Sequence, residues 1–217
     1  MWELIQGYLI LIIPIVMVYT LCVYHKLDGL AKVSAIYILV VGVLQMWALI
    51  LFKYSQNNLF ILSLLIPLRF GIAMWGYSKF LVPFISKKYF VYSVTIMISA
   101  SVINSLLFEK VGTINHWAMT VEGLVLLTMS IASFIFLMDK RLTMKLGDLQ
   151  KTAMLYNAGI LIFYMSATLY MYFMGHLFSS SYPVSIFKIL NFLHTIEHLI
   201  LFSFFFLTIW NRPALSR

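Results

Sequence analysis

The chain has 217 residues, of which 63% are hydrophobic and only 10% are charged. Soluble domains carry about 25% charged residues, so the composition excludes an ordinary soluble domain and indicates one integral membrane domain over 1–217. The net charge of +8 would suit nucleic acid, but the basic residues fall mostly between apolar runs. We therefore expect the lipid bilayer as a partner and no nucleic acid.

Seven apolar runs follow one another along the chain. Each has about the 17–25 residues that a membrane-spanning helix needs. A backbone inside lipid must satisfy its own hydrogen bonds, which favours helices, and the fold class predicted is all-α, a polytopic seven-transmembrane helix bundle. The predicted spans are 7–24, 33–52, 59–82, 89–108, 117–138, 152–174 and 184–210.

The basic residues are distributed unevenly between the two ends of these spans. Eleven of the fifteen lie on the side of the first connection and three on the other side, while Arg69 lies within the third span. Cytoplasmic loops of membrane proteins carry the excess of Lys and Arg, so we predict the N-terminus outside and the C-terminus in the cytoplasm. The eleven are Lys26, Lys32, Lys79, Lys87, Lys88, Lys140, Arg141, Lys145, Lys151, Arg212 and Arg217.

A small set of polar side chains lies inside the predicted spans. Ionisable groups are costly in a bilayer and normally face a partner in the bundle interior. These side chains are the candidates for a ligand site or a proton relay. In chain order they are Gln45, Arg69, Glu122, Asn191, His194, Glu197 and His198.

The seventh span carries most of this set on one helical face, because Asn191, His194 and His198 follow a helical spacing. Arg69 and Glu197 are expected at similar depth, and we predict that they pair. This pair could have a functional role, and the alternative is a purely structural ion pair that fixes the register of the two helices. For Glu122 the alternative is a carboxylate that accepts hydrogen bonds from Gln45, Asn104 or a tyrosine.

The pattern His194-x-x-Glu197-His198 has the spacing of the inverted zincin motif. The same two histidines resemble part of the seven-helix zinc hydrolases that include alkaline ceramidases and adiponectin-type receptors. That family adds a Ser-x-x-x-His motif on its second helix and an Asp on its third. Here the second span has no histidine and the third has Arg69. We therefore expect no metal and no cofactor, with His194 and His198 as the only metal candidates.

The chain resembles small bacterial seven-helix membrane proteins with very short loops, which are similar to the membrane sensing modules of histidine kinases. Three stretches carry this resemblance. They are the sequence around Glu122, the stretch Tyr156-Asn-Ala-Gly-Ile-Leu-Ile-Phe-Tyr, and the histidine-containing seventh span. The resemblance implies a signalling role in the bacterial inner membrane. We expect the output to pass to a separate signalling protein at the cytoplasmic loops, above all 139–151.

The function expected from the sequence is therefore a non-enzymatic membrane sensor without its own output domain. A ligand would enter from the outer half and meet Glu122, Asn191 and His194, and the Arg69–Glu197 pair would switch. One alternative is a small transporter or proton-coupled carrier that uses Glu122, Glu197 and the histidines as a relay. Another is a metal-dependent intramembrane hydrolase.

Overall fold

A computed structural model describes residues 2–54, 59–107, 116–139, 146–147, 149–178 and 184–211 of the chain. Over these ranges the protein is all-helical, with seven long α-helices and no strand. The helices are α1 (Trp2–Val23), α2 (Gly29–Lys53), α3 (Leu59–Leu81), α4 (Lys87–Leu107), α5 (His116–Met138), α6 (Leu149–Phe178) and α7 (Val184–Trp210). Each predicted span corresponds to one of these helices.

The helix ends differ from the predicted ones where polar residues continue a helix beyond the apolar run. α6 begins at Leu149 and ends at Phe178, beyond both ends of the predicted 152–174. α2 begins at Gly29, whose φ of 46° lies in the left-handed region that favours glycine. The chain between α1 and α2 forms a short 3₁₀ turn at Tyr24–Lys26. Pro14 and Pro67 lie inside α1 and α3.

Three of the described helices contain a stretch that is long and apolar enough to cross a membrane. These stretches are Gly29–Ala48 in α2, Lys87–Leu107 in α4 and Trp117–Met138 in α5. Two shorter apolar stretches are Leu11–Lys26 and Ile196–Trp210. Length and composition therefore support a membrane protein.

The helices pack as a closed ring with α2 inserted toward its centre. Each helix contacts the next one in the chain, and contacts between α1 and α7 close the ring. α2 also contacts α6 and α7, and α3 also contacts α5. α4 contributes few buried residues, namely Phe90, Met97 and Ser101. The centre of the bundle is consequently formed where α2 and α3 meet α5, α6 and α7.

Large aromatic side chains fill that centre. Tyr156 of α6 stacks on Phe205 of α7 with ring centroids 4.7 Å apart, and Tyr37 of α2 meets the same Phe205 edge-on at 4.7 Å. Tyr77 of α3 contacts the Tyr156 ring at 5.9 Å. Offset and edge-on arrangements of this kind are the favourable ones for aromatic rings. The hydroxyl groups of these tyrosines thereby lie inside the bundle, where they need polar partners.

One glycine lets a side chain of α6 reach the backbone of α3. A Cβ atom added at Gly76 would collide with the ring and hydroxyl of Tyr156. Gly71, five residues earlier on the same helix, has only Val94 Cγ1 near it, at 3.8 Å. Of these two glycines, only Gly76 is required by packing, and it brings the Tyr156 hydroxyl to the α3 backbone.

Candidate functional site

A buried ion pair joins α3 to α5. The guanidinium Nη2 of Arg69 lies 2.8 Å from Oε2 of Glu122, and the Glu122 side chain is completely buried. The hydroxyl of Tyr164, on α6, donates a hydrogen bond of 2.6 Å to the other carboxylate oxygen, Oε1. Both oxygens of Glu122 are therefore engaged, and one carboxylate links three helices. We call Arg69, Glu122 and Tyr164 the charged layer.

Aromatic rings surround the positive end of this pair. The Arg69 guanidinium carbon lies 5.8 Å from the centre of the Phe163 ring, within the range of a cation–π contact. His198 of α7 packs edge-on against the same Phe163 ring at 4.8 Å. Tyr37 of α2 lies in the bundle centre, where it meets Phe205 of α7 edge-on. Phe163 therefore lies between the guanidinium of Arg69 and the ring of His198 on α7.

Two buried polar groups in the bundle centre, one of them in the charged layer, have no hydrogen-bond partner among the described residues. Nε of Arg69 and the hydroxyl of Tyr37 are buried without a hydrogen-bond partner there. A buried polar group without a partner costs free energy, so these two groups remain available for a further polar group. The charged layer itself combines a neutralised charge pair with one unused hydrogen-bond donor, Nε of Arg69.

The predicted pairing of Arg69 with Glu197 is corrected by this geometry. Arg69 pairs with Glu122. The reason lies in helix adjacency, because α3 packs against α2, α4 and α5, whereas α7 packs against α1, α2 and α6. Equal depth along two helices does not bring side chains together when other helices lie between them. A tyrosine was among the partners considered for Glu122, and the hydroxyl of Tyr164 donates to its carboxylate.

A second polar group, without formal charge, joins the same three helices. The hydroxyl of Tyr77 donates to Oδ1 of Asn157 at 2.9 Å. Ser130 Oγ donates toward the side chain and backbone oxygens of Asn157, both at 3.1 Å, and Asn157 Nδ2 donates to the Ser130 carbonyl at 3.0 Å. We call Tyr77, Ser130 and Asn157 the amide layer. Nearby, the Tyr156 hydroxyl donates to the Ala73 carbonyl at 3.1 Å.

The two layers are two helical turns apart. On α3 the step is from Arg69 to Tyr77, on α5 from Glu122 to Ser130, and on α6 from Asn157 to Tyr164. Seven or eight residues return to the same helical face and advance about 10–12 Å along the axis. The residues of each layer therefore lie on one continuous inner face of their helix. The sequence spacing of the polar residues places both layers on the facing surfaces of α3, α5 and α6.

The other predicted site residues lie outside these two layers. Gln45 is half-buried, and its Oε1 is buried without a hydrogen-bond partner among the described residues. Glu197 and His198 are buried in α7. The side chains of Asn191 and His194 lie outside the described residues. Over the part of the chain that the structure describes, no group of three His, Cys, Asp or Glu side chains is placed to hold a metal ion.

Sequence reasoning missed Tyr164, Tyr77, Ser130 and Asn157. Phe163 and Tyr164 are both buried, Phe163 beside Arg69 and Tyr164 in a hydrogen bond to Glu122. A signal was present in the spacing, since Asn157 and Tyr164 are seven residues apart and share a helix face with each other. In a chain so rich in aromatic residues, this spacing alone does not distinguish a functional tyrosine from a packing one.

The fold and the two layers define an all-helical protein with helices capable of crossing a membrane and a charged network at its centre. Comparison of the chain with protein-family models, with curated proteins and with solved structures gives no match.

Proposed function

We propose that the protein is a seven-span sensor module of the bacterial inner membrane, with its N-terminus outside and its C-terminus in the cytoplasm. The orientation is supported by the eleven basic residues on one side of the predicted spans. The sensing role is supported by the charged layer, in which one carboxylate links α3, α5 and α6. The module has a non-enzymatic role and passes its signal to a separate protein.

The observation that carries this proposal is the burial of the Arg69–Glu122 pair. A buried ion pair adds little net stability, because the cost of removing both charges from water offsets their attraction. Separating the two charges is expensive, however, so the pair favours discrete arrangements of the helices over gradual ones. A ligand that offers a competing charge to Arg69 or Glu122 would shift the balance between such arrangements.

In this mechanism the ligand acts on the charged layer and the response appears at the cytoplasmic end of α5. Arg69 and Glu122 are fixed on stiff helices, so a change in their pairing moves α3 against α5. The segment 139–151 connects α5 to α6 and contains four of the basic residues. That segment is the surface proposed for the signalling partner, and the charged layer is the switch that controls it.

Distance measurements between two helix ends test the switch. The chain has one cysteine, Cys22, which is exposed near the end of α1. A second label can be placed by Met138→Cys, at the exposed end of α5. Nitroxides at both positions, read by pulsed electron spin resonance in lipid nanodiscs, report the position of α5. We expect Arg69→Met and Glu122→Gln to shift the main distance by about 2 Å, the size of typical helix displacements in switching proteins.

The matched control is Gly71→Ala, on the same helix and two residues from Arg69. Its added methyl group meets only Val94 at an ordinary contact distance, so the distance distribution should remain that of the unsubstituted chain. Identical distributions in all variants would contradict the switch and reduce the pair to a structural role. A shift of the same size in Gly71→Ala would contradict it as well, because any change in α3 would then suffice.

The second candidate function is a proton-coupled carrier. The observation that favours it is the 2.6 Å hydrogen bond from the Tyr164 hydroxyl to buried Glu122, since intramembrane carboxylates with such donors occur in proton relays. Proton flux into liposomes that contain the purified protein and a pH-sensitive dye tests this function. Flux that disappears in Glu122→Gln would support a carrier, and absence of flux in the unsubstituted protein would exclude it under those conditions.

A further inference from the structure

A cavity lies where the ends of α1 and α7 meet, and none of its lining residues belongs to either polar layer. It has a volume of about 220 Å³ and is lined by Tyr19, Val23, Ile209 and Trp210. A water molecule occupies roughly 30 Å³ of liquid, so the space exceeds a packing defect. The cavity is partly open, and its lining combines two aliphatic side chains with two aromatic ones that carry polar atoms.

The aromatic side of the cavity is a cluster of three rings. Tyr19 contacts Phe206 at 5.1 Å and Trp210 at 6.2 Å between ring centres, and Phe206 stacks with Trp210 at 6.2 Å. Trp210 is 64% exposed although it belongs to this cluster. Tyrosine and tryptophan are enriched at the membrane–water boundary. The aromatic cluster therefore fits a position at the headgroup level of a bilayer.

Two lysines contact residues that directly follow lining residues of the cavity in the chain. Lys151 Nζ donates to the side chain of Asn211, the residue after Trp210, at 3.1 Å. Lys32 Nζ lies 5.4 Å from the ring of Tyr24, the residue after Val23. Asp28 is an exposed acidic residue in the same region, so the two lysines are only partly compensated. The surroundings of the cavity favour an anionic group.

Exposed apolar side chains form a strip on the neighbouring face of α1, about a quarter of the helix circumference from Tyr19 and Val23. Leu11, Ile15 and Val18 are 57%, 69% and 61% exposed and follow one another at helical spacing. A ligand with an anionic head and an apolar tail would place its head at the cavity and its tail along this strip. A free phosphate would make no use of the strip.

We propose that the cavity between α1 and α7 binds the phosphate headgroup of an anionic phospholipid, with Lys32 and Lys151 supplying the charge and Tyr19 and Trp210 forming the wall. The lipid would fix the ends of α1 and α7 at the cytoplasmic boundary. This inference uses the membrane placement proposed above but does not depend on sensing, so either proposal can fail without the other.

Lipid retention measured by native mass spectrometry tests the site. Protein purified in detergent is offered equal amounts of phosphatidylglycerol and phosphatidylcholine. We expect preferential retention of phosphatidylglycerol, reduced about tenfold in the double variant Lys32→Gln/Lys151→Gln. Val23→Trp, which fills the cavity and leaves both lysines in place, should reduce retention similarly. The matched control is Lys87→Gln/Lys88→Gln, at two exposed lysines of α4.

The outcomes separate the alternatives. Loss in the site variants with retention in the α4 control supports the proposal. Equal loss in the α4 control overturns it, because general positive charge would then explain retention. Unchanged retention in Lys32→Gln/Lys151→Gln also overturns it, whether or not Val23→Trp folds. Displacement of the lipid by an equal concentration of sn-glycerol phosphate would assign the site to a soluble phosphate compound and overturn the lipid assignment.

Discussion

The charged layer and the amide layer provide a comparison within one bundle, because they lie on the same faces of the same three helices. The charged layer holds α3, α5 and α6 through an ion pair and one phenol. The amide layer holds them through a phenol, a serine and an asparagine. Both are buried, and they are separated by two helical turns. Their main difference is the presence of formal charge.

That difference determines how each layer responds to the loss of a partner. When one member of a buried ion pair is removed, a buried charge remains, and the cost is about 3–5 kcal/mol. When one member of a neutral hydrogen-bonded group is removed, the cost is about 1–3 kcal/mol. The amide layer is therefore suited to hold the helices in register, whereas the charged layer is suited to respond to a competing charge.

The largest effect is expected from Glu122→Leu. It leaves the guanidinium of Arg69 buried without its carboxylate, so the free energy of unfolding should fall by about 3–5 kcal/mol. Asn157→Leu, the matched change in the amide layer, should cost about 1–3 kcal/mol. Equilibrium unfolding in mixed micelles measures both. An equal or larger loss in Asn157→Leu would remove the distinction between the layers.

A smaller and more direct comparison uses the same chemical change in both layers. Tyr164→Phe removes a hydrogen bond to a carboxylate and should cost about 1.5–3 kcal/mol, while Tyr77→Phe removes one to an amide oxygen and should cost about 0.5–1.5 kcal/mol. The same unfolding measurement reports the difference. If Tyr77→Phe proves the more costly change, then formal charge does not set the strength of these contacts.

The smallest expected effect comes from Gly71→Ala on α3, and the matched change on the same helix is Gly76→Ala, which disturbs the packing beside the amide layer without removing a polar group. The added methyl group would push the Tyr156 ring away from α3, and overpacking of this kind costs about 1–3 kcal/mol. Gly71→Ala should be neutral or slightly stabilising, because its site is open and alanine favours helix. Equal thermal stability of the two variants would show that α3 and α6 can separate at little cost.

The helices were predictable because their signal is local. Seven runs of apolar residues of spanning length indicated seven helices, and each run lies in one observed helix. The helix ends were less accurate, as at α6, because polar residues such as Gln150 and Lys151 continue the helix beyond its apolar part. Whether all seven helices cross the membrane stays a prediction.

The charged layer was only partly predictable. Arg69 and Glu122 were recognised individually, since an ionisable residue within an apolar run requires a partner. Their pairing was missed because it depends on which helices are neighbours, and helical spacing within one span carries no such information. The roles of Asn191 and His194 remain predictions, since their side chains lie outside the described residues.

The most direct test of the account is the coupling energy of Arg69 with each of its two possible carboxylate partners. Double-mutant cycles with Arg69→Met, combined separately with Glu122→Gln and Glu197→Gln, give both values from unfolding free energies. The account predicts about 2 kcal/mol or more for Arg69 with Glu122, and less than about 0.5 kcal/mol for Arg69 with Glu197. Stronger coupling of Arg69 to Glu197 than to Glu122 would contradict the pairing of Arg69 with Glu122 and the switch proposed from it.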